Sequence, residues 1–78
     1  MGIQEQVQRA CYELGERKTL ALNDPEAGSL VINLRGDKAY IAFFDDNELA
    51  WRRVTRDVEE ITQEIKSWFI LVNQLDSL

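Results

Sequence analysis

The sequence predicts an α+β fold: an N-terminal helix, three or four short antiparallel strands forming a meander, and a long C-terminal helix packed on one face of the sheet. Three observations carry this. Ile3, Val7, Ala10, Cys11 and Leu14 recur at helical spacing. Apolar residues alternate with others through residues 29–35 and resume after Gly36-Asp37, as in a β-hairpin. Finally, Val58, Ile61, Ile65, Trp68, Phe69, Val72 and Leu75 form a stripe at intervals of three and four.

The first helix is expected over residues 3–14, with Gly15 as the residue that follows a helix end. So short a helix is unstable alone and must dock. Its stripe could lie alongside that of the second helix. Cys11 falls on the apolar face and reads as a small buried hydrophobe, whereas Tyr12 falls on the opposite side.

Residues 19–22 form a possible short strand with Leu20 and Leu22 on one side, ended by the turn signal Asp24-Pro25-Glu26 and Gly28. In the next hairpin, a two-residue Gly36-Asp37 loop fixes the register. Arg35 then faces Lys38, Leu34 faces Ala39, Ile32 faces Ile41 and Leu30 faces Phe43, so the core-face pairs are all apolar. Val31, Tyr40, Ala42 and Phe44 collect on the other face, beside Ser29 and Asn33. That face is more apolar than a solvated sheet face usually is, which suggests a cover. Arg35-Gly36-Asp37 also spells an adhesion tripeptide, but the turn alone accounts for these letters.

Residues 48–54 fit two readings. Trp51 and Val54 extend the spacing of the later stripe, as one long helix would, and the same residues alternate as a strand after an Asp-Asn turn. The strand is preferred because a 29-residue helix would be roughly 44 Å long, out of proportion to so small a chain. Asp57 followed by Glu60 makes a capping box and starts the second helix after Arg56.

The chain has 78 residues, reads as a single domain over 1–78, and carries a formal charge of −5 with one Cys and no His. Surface scaling gives a folded area of roughly 4,900 Å² against about 13,000 Å² unfolded, enough for one thin core. A lone monomer of this size is marginal. The longest apolar run, Trp68 to Val72, is far shorter than a membrane span of about 20 residues. No internal disulfide can form, and no secretion signal is visible at the N-terminus, so a cytoplasmic address is expected.

The missing His removes the commonest general base and the commonest metal ligand. No catalytic, cofactor-binding or metal-binding residue is therefore assigned, and an enzyme is not expected. Asp45, Asp46 and Glu48 lack the spacing and glycine of a calcium loop and read as a polar turn.

The functional reading is a small non-enzymatic, regulatory protein-binding module that acts through protein–protein contacts as a homodimer. Tyr40, Phe44, Trp51, Trp68, Ile70 and Leu71 are the expected interface, because the C-terminal stripe becomes apolar all round at Ile70 and Leu71. Two other classes use charge. An acidic mimic of nucleic acid would present Glu60 and Glu64, with Asp57 and Glu59, to the DNA or RNA site of a partner protein. A single-strand binder would use Trp51, Arg52, Arg53 and Arg56, stacking on bases and contacting phosphates. A pI near 4.6 weighs against the second.

Overall fold

The computed structural model describes residues 2–77. It contains helix α1 (Ile3–Arg17), strands β1 (Thr19–Asp24), β2 (Gly28–Arg35), β3 (Lys38–Asp45) and β4 (Glu48–Thr55), and helix α2 (Val58–Asp76). The strands form one antiparallel sheet in the order β1-β2-β3-β4, so the meander has four strands. Residues 48–55 are a strand rather than an early turn of α2.

Helix α1 runs on past Gly15 to Arg17, further than the glycine suggested. Lys18 takes the left-handed conformation (φ 63°), and its N–H donates to Leu14 O at 2.8 Å, closing the helix. Lys18 O then accepts from Leu34 N at 2.8 Å, which ties the helix exit to β2.

Three turns join the strands. Asp24 Oδ2 accepts from Glu26 N (2.9 Å) and Ala27 N (2.8 Å), so the aspartate shapes the first turn around Pro25. In the second, only Gly36 has positive φ (62°), the sign pattern of a II′ hairpin turn. In the third, Asp46 and Asn47 both do (51° and 66°), as a I′ turn requires. The β2–β3 register pairs Leu34 with Ala39, Ile32 with Ile41 and Leu30 with Phe43, as the two-residue loop predicts.

Both helices pack on the same face of the sheet. Val7, Ala10 and Leu14 of α1 and Ile65 and Trp68 of α2 close over Leu20, Leu30, Ile32, Ala39 and Ile41. The helices run antiparallel: Gln6 near the start of α1 accepts from Asn73 Nδ2 near the end of α2, at 3.4 Å. This two-layer slab measures only 18 Å along its shortest principal axis.

Trp68 belongs to this core. It is 8% exposed, its Nε1–H donates to Gly28 O at 3.3 Å, and Phe69 meets it edge-on at 5.1 Å. Trp68, expected from the sequence on an interface, is instead buried in the core between α2 and the sheet. An indole large enough to fill the space beneath α2 is also the one that the apolar stripe directs inward.

Gly28 is fixed by two demands. Its φ is +93°, and a Cβ there would come within 2.5 Å of Phe44 O and 2.8 Å of the Phe43 ring.

Candidate functional site

Strand alternation sends the other half of the sheet's side chains away from the helices. On that face three rows cross the strands. The first runs Thr19, Asn33, Tyr40, Val54, with Thr19 Oγ1 donating to Asn33 Oδ1 at 2.8 Å. The middle row is Ala21, Val31, Ala42 and Arg52. The third is Asn23, Ser29, Phe44 and Leu49. Among the described residues no element packs over these rows. Tyr40, Leu49 and Val54 remain 42%, 50% and 53% exposed, whereas Val31, Ala42 and Phe44 are half-buried by their neighbours.

The face is divided lengthwise. Its β3–β4 half is apolar apart from Lys38 and Arg52, and its β1–β2 half is mostly small and polar. A shallow depression of about 320 Å³ lies between Val31, Asn33, Tyr40, Ala42, Arg52 and Val54. The charged side chains on the face, Arg35, Lys38 and Arg52, are all cationic. Carboxylates gather around the turns at one end of the sheet, at Glu26, Asp45, Asp46 and Glu48, while Arg35 and Lys38 flank the opposite end, where the carboxylate of Asp37 is paired with Arg56.

Leu49 reaches this face through a β-bulge. Phe43 pairs with Trp51 but Phe44 pairs with Leu49, leaving Ala50 as the extra residue. Without that bulge, alternation back from Val54 and Arg52 would turn Leu49 toward the helices. The sequence contains no glycine or other mark of it, so Leu49 was not among the expected interface residues. Val54 was likewise not among the expected interface residues, because its place beside Tyr40 depends on the β3–β4 register.

The expected interface residues divide between the two layers. Tyr40 and Phe44 lie on the bare sheet face. Trp51 lies on the helix side of β4, half-buried and stacked on Phe43 with ring centroids 6.0 Å apart. Ile70 is half-buried in the outer groove between the helices, beside Ile3, Val7 and Lys66, and Leu71 is 39% exposed on α2. No single surface holds all six.

The arginine cluster is also divided. Arg52 points from the bare face, while Arg53 points to the helix side, with its guanidinium 5.3 Å from the Trp51 ring centre. Arg53 Nη1 donates to Glu60 Oε1 (2.9 Å) and to Glu64 Oε1 (3.2 Å). Arg56 pairs with Asp37 at 3.0 Å, and both side chains are largely exposed. Three guanidinium groups aimed in different directions do not make one phosphate-tracking strip.

The same contacts occupy the acidic helix face. Glu60 and Glu64 both engage Arg53, and Glu60 Oε2 also accepts from Thr55 Oγ1 at 2.9 Å. Asp57 caps α2 by accepting from Glu59 N at 2.9 Å. Neither bond of a capping box forms: Asp57 caps the amide of Glu59 rather than that of Glu60, Asp57 N donates to Thr55 Oγ1 (3.0 Å), and Glu60 turns toward β4.

No helix among the described residues is long and apolar enough to cross a membrane. Comparison with protein-family models, curated proteins and solved structures finds no match for this chain.

Proposed function

We propose that the chain is a non-enzymatic, regulatory protein-binding module whose working surface is the bare face of the sheet. The observation that carries this reading is the placement of both helices on one side. It leaves Tyr40, Phe44, Leu49 and Val54 together on the other. Exposed apolar residues gathered in one plane and bordered by polar and charged ones are the composition of a protein interface.

Photocrosslinking tests this. A benzophenone amino acid replaces Ala42 at the centre of the face, or Tyr12, which is 70% exposed on the outside of α1. Protein adducts forming in the native cell from position 42 and not from position 12 are the expected result. Adducts from position 12 alone would move the working surface to the helix layer.

A further inference from the structure

We propose that the occupant of the bare sheet face is a second copy of this chain, docked face to face about a two-fold axis that lies between the sheets and runs across the strands. This rests on the reading that the face binds protein, and it narrows the partner to one.

The argument is self-complementarity. An axis along the middle row keeps each strand over its own counterpart and exchanges the first row with the third. Tyr40 of one copy then lies over Phe44 of the other, and Val54 over Leu49, while Val31 and Ala42 meet their own equivalents at the centre. On the polar half Asn33 lies over Ser29. Apolar meets apolar, and polar meets polar.

Charge follows the same symmetry. The Arg35–Lys38 end of each copy, where Arg56 offsets Asp37 and leaves the end net cationic, is brought over the Asp45–Glu48 turn of the other, and this happens twice. The other face-to-face two-fold, along the strands, fails on both counts. It places Tyr40 over Asn33, Val54 over Thr19 and Leu49 over Asn23, and it turns each Arg35–Lys38 end onto itself. Aligned sheets pack at about 30° to one another, so these residues become neighbours across the interface rather than strict opposites. One like-charge pair remains, Arg52 near Arg52, on an edge strand where both guanidinium groups can reach solvent.

The test is sedimentation of the full chain from micromolar to millimolar concentration, at moderate salt because the end charges are screened over about 8–10 Å. The wild type is expected to reach twice its 9.0 kDa mass. Val54→Glu, which would press a carboxylate against Leu49 of the other copy, should weaken association about 100-fold, and Leu71→Glu on the helix layer should not change it. Arg52→Ser, which removes the like-charge pair, should strengthen it.

Orientation is read from two charge-reversed chains, Arg35→Glu/Lys38→Glu and Asp45→Lys/Glu48→Lys. Each alone should weaken association about tenfold or more, and mixing them should restore it as a heterodimer. Circular dichroism and cooperative melting establish that every variant is folded. A wild type that stays monomeric overturns the proposal, as does a dimer indifferent to Val54→Glu or a folded charge-reversed pair that fails to complement. None of these outcomes touches the broader reading of the face, which crosslinking from position 42 decides separately.

Discussion

The Arg53 guanidinium donates to Glu60 at 2.9 Å and so joins the last strand to the first turn of the last helix. The same arginine reaches Glu64 and packs against Trp51, so strand, helix and indole converge on one side chain. The two charged groups are part-exposed, at 46% and 35%, which keeps the energy of the pair modest. In a double-mutant cycle with Arg53→Met and Glu60→Gln, urea unfolding should give a coupling of about 0.5–1 kcal/mol. A coupling indistinguishable from zero would mean that solvent screens the pair completely.

Gly28→Ala should be among the most damaging small substitutions. The added methyl meets the Phe44 carbonyl and the Phe43 ring, and the backbone is left-handed there. Together these should cost about 2 kcal/mol or more, lowering the melting temperature by about 8 °C or more. An unchanged melt would show that the β1–β2 turn relaxes freely.

Ile32 and Ile65 are both 0% exposed and occupy the sheet and helix sides of the core. Ile32→Ala should destabilise by about 3 kcal/mol, a large share of what so small a chain possesses. Tyr12→Ser on the outside of α1 should stay within about 0.5 kcal/mol. Chemical denaturation of the two variants side by side measures that contrast.

Trp68→Phe retains most of the buried volume but removes the donor to Gly28 O. The expected loss is about 1 kcal/mol, with the carbonyl left without its indole partner. Since Gly28 begins β2, hydrogen exchange should quicken around the β1–β2 turn more than in α2.

Asp57→Ala removes the side-chain acceptor for Glu59 N and should cost about 1 kcal/mol in equilibrium unfolding. Glu60→Ala should leave this cap intact, because Glu60 bonds to Arg53 and Thr55 rather than back to the Asp57 amide. Equal losses of helix-end protection in the two variants would argue that the capping box closes in solution after all.

The antiparallel meander, the β2–β3 register and the second helix were legible in the amino-acid sequence because each rests on local physics, whereas the fourth strand competed with an extension of the helical stripe. Side chains alternate with a period of two in a strand, and a two-residue Gly36-Asp37 loop admits one pairing. The Asp57 cap sits one residue before the apolar stripe that it starts. Even the unusual apolarity of the second sheet face was visible, since Val31, Tyr40, Ala42 and Phe44 share one parity.

Other features depended on distant residues and needed the tertiary structure. Arg53 and Arg52 are adjacent in sequence, yet strand geometry sends one to Glu60 and Glu64 and the other to the bare face. An unmarked bulge at Ala50 decided where Leu49 points. Whether both helices would share one side of the sheet was a question of packing, settled when Trp68 and Ile65 joined Val7, Ala10 and Leu14 over the same aliphatic face. Local spacing determines which residues share a surface, but only the fold decides which surfaces are spent on the core and which are left to meet a partner.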